Sequence, residues 1–287
     1  MTSHIEPRPL LAAGLVVLSA PAFFVFGWTL AGVALLLAGL AMAWWAERRR
    51  SLAGDAPARA EPSLLRDLSL IAVGLAIVRS IPLAAELDDW AMGRFTLALG
   101  GAVLVPYLVS RAIYRDRAIR FPWRTGHDGR PNPRWGWLHW GWLAAVLVLG
   151  WLILPWYFIG SGVYRNWPVV ETPDLVARLF VGVGAVGIWD ELFFICTVFA
   201  VLLRHFPAWT ANALQAVVFV SFLWELGYRA WGPLLTIPFA LVQGFIFLRT
   251  RSLSYVVAVH LLFDAVVFAV LVHAHHPELF DIFPTAP

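Results

Sequence analysis

The chain has 287 residues, 60% of them hydrophobic, with 21 basic and 18 acidic side chains and a formal net charge of +3. A soluble domain is nearer half apolar, so this composition, with repeated apolar runs of about 18 residues or more, excludes a soluble globular protein. It describes a polytopic membrane protein, in which the 16 tryptophans suit the bilayer interface.

Taken in chain order, nine transmembrane helices are expected, each near the length that a core of about 30 Å requires. They fall roughly at 10–26, 28–46, 68–86, 93–110, 137–160, 175–203, 208–226, 232–248 and 253–273. The fold class is therefore all-α. The first span has only Arg8 ahead of it and no small-residue cleavage site, so with Gly27 and Trp28 it reads as a retained helical hairpin rather than a signal peptide. Residues 47–66 and 111–136 are long polar loops rich in Arg, Pro and Ala or Gly. They divide the chain into an N-terminal hairpin with its linker (1–66), three further spans with an Arg-rich loop (67–172) and a last unit (173–287) that holds most of the buried ionisable groups.

Every basic residue is Arg, and sixteen of the 21 fall on one face of this topology. Arg165 and Arg229 lie on the other, with the acidic loop Glu86, Asp88 and Asp89. The positive-inside rule then puts the N-terminus in the cytoplasm and the C-terminus outside. The Arg-rich loop reads as a topology signal beside anionic lipid headgroups, not as a nucleic-acid site. The Ala- and Arg-rich, Lys-free composition points to a GC-rich bacterial genome and hence to a bacterial cytoplasmic (inner) membrane.

An Asp at the centre of a membrane helix costs about 2.5–3.5 kcal/mol, so such a group is a candidate functional residue with a partner to be named. The sixth span has Asp190 and Glu191, the seventh ends with Glu225, and the ninth has His260 and Asp264 four apart on one face. Adjacent helical residues diverge by about 100°, so one partner does not readily satisfy both Asp190 and Glu191. If the three faces converge, the carboxylates cannot all ionise in a dry hollow. Protons, a cation or an Arg must intervene, and Arg79 is the candidate Arg. Bland readings stand beside this. Glu225 can pair with Arg229, and His260 with Asp264. Arg94 and Arg178 can snorkel to an interface. His273, His275 and His276 read as an exposed tail, and Cys196 as a buried, inert thiol.

The order of these groups resembles the CPBP family, the membrane-embedded type II CAAX prenyl proteases and their bacteriocin-processing and abortive-infection relatives. The family's three motifs are Glu-Glu-x-x-x-Arg, Phe-x-x-x-His and His-x-x-x-Asn/Asp. Here they correspond to Asp190-Glu191 through Ile195, to "SFLWE" ending at Glu225, and to His260-Leu261-Leu262-Phe263-Asp264. The resemblance covers about residues 173–275. It implies an intramembrane endopeptidase acting on a membrane-associated peptide or protein. By position, Asp190 and Glu191 would be the base pair, Glu225 the second water-holding group, and His260 with Asp264 the oxyanion side. Three departures weigh on this: Asp190 for Glu, Ile195 for the motif Arg and Glu225 for the motif His. No cofactor is needed for a glutamic-type enzyme, while Glu191, Glu225 and His260 form a competing ligand set for a divalent metal such as Zn. A catalytically inactive scaffold, immunity or regulatory protein is the alternative function. A proton-coupled carrier is a third, supported by the buried acids alone.

Overall fold

The computed structural model describes residues 6–52, 62–81, 86–123 and 134–285. The middles of both polar loops, with Arg59, Arg124 and Arg130, lie outside the described residues, as does Pro82. Among the described residues all regular structure is helical. The long helices are α1 (Pro7–Phe24), α2 (Thr29–Leu52), α3 (Leu64–Ser80), α4 (Asp89–Leu108), α5 (Trp137–Phe158), α6 (Pro173–Asp190), α8 (Ala208–Glu225), α9 (Pro233–Thr250) and α10 (Leu253–His275). A π-helical stretch, Glu191–Phe199, and the three residues of α7 (Ala200–Leu202) extend α6 into one rod. Nine rods therefore stand where nine spans are expected, with ends displaced by a few residues.

The ends are set by local chemistry. Ser63, Asp88, Thr172 and Ser252 cap α3, α4, α6 and α10, each side-chain oxygen accepting a backbone N–H of the first turn. Gly27, at φ +69°, makes the turn of the α1–α2 hairpin. The two helices then pack closely enough that a Cβ on Gly39 would sit 2.8 Å from the Ala12 carbonyl oxygen.

Seven of the rods are long and apolar enough to cross a bilayer. The other two are α3, at 17 residues, and α8, which carries Asn212, Gln215 and Glu225. Both bury one face inside the bundle, where neighbouring helices supply hydrogen-bond partners to polar side chains. In α8, Asn212 donates to the Leu241 carbonyl (2.8 Å) and Gln215 to that of Ala240 (3.0 Å), tying α8 to α9.

Two expectations are revised here. The C-terminal histidines do not form an exposed tail. His273 is buried and its Nδ1 donates to the Leu279 carbonyl (3.1 Å), because the chain folds back far enough for Trp151 to donate to Ile282 (2.7 Å). At the Arg-rich end a buried acid went unnoticed in the sequence. Asp67, 1% exposed, accepts from Arg204 (2.9 Å) and His205 (2.7 Å), and Arg204 also reaches Asp116 (2.7 Å).

Candidate active site

The α6 rod changes its winding at Glu191. The π-helical stretch begins on that residue, and the Thr197 hydroxyl donates five residues back to the Leu192 carbonyl (3.0 Å). Such segments are rare and concentrate at functional sites. Trp189, donating to the Leu99 carbonyl and stacked on Phe193, locks this part of the rod against α4. Asp190 and Glu191 are thereby held 1% and 2% exposed in the middle of the bundle.

His260 of α10 lies between them. Its Nδ1 is 2.7 Å from Glu191 Oε1, and its Nε2 is 3.6 Å from Asp190 Oδ2 and 3.9 Å from Asp264 Oδ1. One imidazole thus faces both acids through opposite ring nitrogens but hydrogen-bonds only Glu191, as the divergence of neighbouring helical residues implies. The distances separate the contacts. The Glu191 contact is a short, charge-assisted hydrogen bond, whereas the two Asp contacts exceed hydrogen-bond reach and leave space on the Nε2 side. The His260–Asp264 pair is therefore not the direct intrahelical hydrogen bond that the four-residue spacing allows.

Gln243 of α9 completes the Glu191 side. Its amide donates to Glu191 Oε1 (2.7 Å) and to the Val256 carbonyl (3.1 Å). This residue was missed in the sequence; the available signal was an amide inside the apolar run "PFALVQGFIF". The rings of Phe239 (4.9 Å) and Phe219 (6.3 Å) wall the imidazole. Gly187, one turn before Asp190, lets the Asp264 carboxylate approach α6, since a Cβ there would run into Asp264 Oδ2.

Both oxygens of Asp190, Glu191 Oε2 and Asp264 Oδ2 are buried and have no hydrogen-bond partner among the described residues. Three carboxylates and one imidazole cannot all be charged here, so protons or a bound polar species must balance them. Asp190, His260 and Asp264 line a cavity of about 190 Å³ whose walls are otherwise mostly apolar and which also takes in Tyr228 and Thr236. Glu191 lies on the far side of the ring from that space.

Glu225 does not join the cluster. Phe219 is the α8 residue that meets His260, and a residue six further on is turned by about 240° and displaced by about 9 Å along the axis. The charges acting on Glu225 are Arg79 and Arg229. Arg79 in turn donates to Thr29 (2.6 Å) and is not brought to Asp190. The position four after Phe219, which lines the cavity, is Leu223. Glu191, Glu225 and His260 are consequently not assembled as a ligand set. Among the described residues no three His, Cys, Asp or Glu side chains are grouped to hold a metal. Arg94 and Arg178 are held at helix starts by Glu86 (3.4 Å) and by Asp89 (2.5 Å) and Asp174 (2.8 Å). Cys196 is buried.

A multi-helix integral membrane protein with an acid–imidazole centre buried between α6 and α10 is the class these features define. Residues 172–266, which contain all four clustered groups and Gln243, match a family model described as Type II CAAX prenyl endopeptidase Rce1-like. Residues 172–266 are thus Rce1-like, in keeping with the motif order that resembles the CPBP membrane proteases. No curated protein and no solved structure matches the chain.

Proposed function

We propose that the protein is a divergent intramembrane endopeptidase that hydrolyses a peptide bond in a membrane-associated peptide or protein, working in a bacterial inner membrane. The observation that carries this reading is the two-sided imidazole: Glu191 and Gln243 hold one edge of His260, and Asp190 and Asp264 flank the other at the head of a cavity. Residues 173–287 would hold the chemistry, with 1–172 bracing it.

The roles follow from position. A His260 that donates from Nδ1 to Glu191 has its orientation fixed and its Nε2 turned to the cavity. Glu191 is therefore a positioning residue, not half of a base pair. Asp190, unpartnered and on the cavity, takes a proton from water. The resulting hydroxide adds to the scissile carbonyl carbon. The oxyanion is held by the Nε2–H of a protonated His260 and by the hydroxyl of a protonated Asp264. Collapse breaks the C–N bond, and the proton on Asp190 passes to the departing amine. In such apolar walls each donor aimed at the oxyanion contributes about 3 kcal/mol.

The test is proteolysis of a library of membrane-tethered substrates by purified protein, comparing wild type with Glu191→Ala and His260→Ala. Cleavage lost in both variants is the expected result. Equal background in all three removes the reading.

A second reading, an inactive relative that binds a peptide in the same cavity, is favoured by one observation. The second-motif His is matched by position with Glu225, which does not join the cluster, and the cavity-lining residue four after Phe219 is Leu223, so α8 offers the site no imidazole. Peptide binding that survives Glu191→Gln and His260→Ala, without turnover in wild type, selects it.

A further inference from the structure

The turn that leaves α8 is held at several points. The Tyr228 N–H donates five residues back to the Leu223 carbonyl (2.9 Å), and the Asn166 side chain donates to the Gly227 carbonyl (2.8 Å). Gly227 takes φ +111°, in the range that favours glycine, and a Cβ there would meet Asn166 at 3.0 Å and Trp167 at 3.1 Å. The Tyr228 ring then packs against Tyr157 (centroids 6.3 Å apart), Phe158 (5.6 Å) and Trp167 (5.4 Å). Backbone and ring are thus both fixed by the protein itself, as a preorganised site requires.

What is held in this way is a hydroxyl without a partner. A Tyr hydroxyl taken out of water usually finds one. That of the neighbouring Tyr157 does, donating to the Arg229 carbonyl (2.8 Å). Three hydroxyls line the cavity. Thr96 donates to the Met92 carbonyl (2.9 Å) and Thr236 to that of Gly232 (3.2 Å), whereas the Tyr228 hydroxyl bonds to none of the described residues. Asp190, His260 and Asp264 line the same cavity, and Asp264 and Asp190 are the carboxyls whose charge reaches the phenol. The α8 helix itself lends the cavity Phe219 and Leu223, neither of which can donate.

We propose that Tyr228 is a further catalytic residue, whose hydroxyl donates a hydrogen bond to the oxyanion of the tetrahedral intermediate. It joins the Nε2–H of His260 and the hydroxyl of Asp264 as a third donor. No bond to Tyr228 is made or broken. The phenol keeps its proton, and the negative charge on the former carbonyl oxygen is shared among three donors until collapse. A donor fixed beforehand among apolar walls, with no partner to give up, needs no reorganisation when that charge develops. This role rests on the endopeptidase reading and adds to it a group from outside the three motifs.

Tyr228→Phe keeps the ring with its three aromatic neighbours and removes only the hydroxyl. The test uses full-length protein and the best-cleaved member of the membrane-tethered library. The variant is expected to lose about 10²–10³-fold in kcat, with KM within about twofold of wild type and the thermal unfolding midpoint unchanged. Tyr157→Phe is the contrast. It strips a hydroxyl that has a partner, and should lower the midpoint while sparing kcat. A Tyr228→Phe protein whose kcat stays within about threefold of wild type overturns the proposal and leaves the endopeptidase reading standing. So does a fall in kcat that loss of folded protein accounts for, since the hydroxyl would then serve the fold. Wild type that cleaves no member of the library removes the reading itself, and the role of the phenol with it.

Discussion

Two buried acidic clusters sit in the same bundle and are balanced in opposite ways. At the Arg-rich end Asp67 has a partner for each oxygen, Arg204 on one and His205 on the other, and Arg204 divides itself between Asp67 and Asp116. In the middle of the bundle, Asp190, Glu191 and Asp264 share one imidazole and leave four oxygens unpartnered among the described residues. The first arrangement is what a structural polar network looks like when it joins α3 to the end of the α6 rod. The second is costly to stability, and the empty hydrogen-bonding positions of Asp190 and Asp264 belong to residues that line the cavity, where the proposed reaction would use them. On the proposed reading, the contrast separates acids that hold the fold from acids free to do chemistry, although both are nearly inaccessible.

Substitutions sharpen that contrast. The largest effect expected is from His260→Ala, which removes the group linking both edges of the site and should lower turnover by about 10³-fold in a steady-state cleavage assay. Next is Arg204→Ala. It leaves Asp67 with His205 alone and should cost about 3 kcal/mol, read as a lowered midpoint of thermal unfolding in detergent, with turnover per folded molecule retained. Gly187→Ala follows. The added methyl displaces the Asp264 carboxylate and should cost about a hundredfold in kcat with the unfolding midpoint little changed. A loss of stability without a change in kcat would show that Gly187 serves packing alone.

The sequence was informative wherever lipid imposes a rule. The nine rods stand in the expected order, seven of them long and apolar enough to span, and Asp190, Glu191, His260 and Asp264 stood out because ionisable groups are rare at membrane depth. What escaped depends on three-dimensional pairing. The placing of His260 between Asp190 and Glu191 could not be foreseen, although Asp190 stays unpartnered as their divergence of about 100° implies. Glu225 matched the family spacing by count, but the α8 face is fixed by Phe219 against His260, which turns Glu225 toward Arg79 and Arg229. Asp67 and Arg204 are 137 residues apart, a pairing without any local signature.

The comparison comes down to the sign of two small effects. Asp190→Asn removes an unbalanced buried charge, while Asp67→Asn removes a balanced one. Thermal unfolding of the two variants beside wild type is the most direct test. The expected result is a midpoint for Asp190→Asn at or above that of wild type, and a loss of about 1–3 kcal/mol for Asp67→Asn. An Asp190→Asn protein destabilised as much as Asp67→Asn would contradict the account, because Asp190 would then be holding the fold together instead of waiting on a substrate.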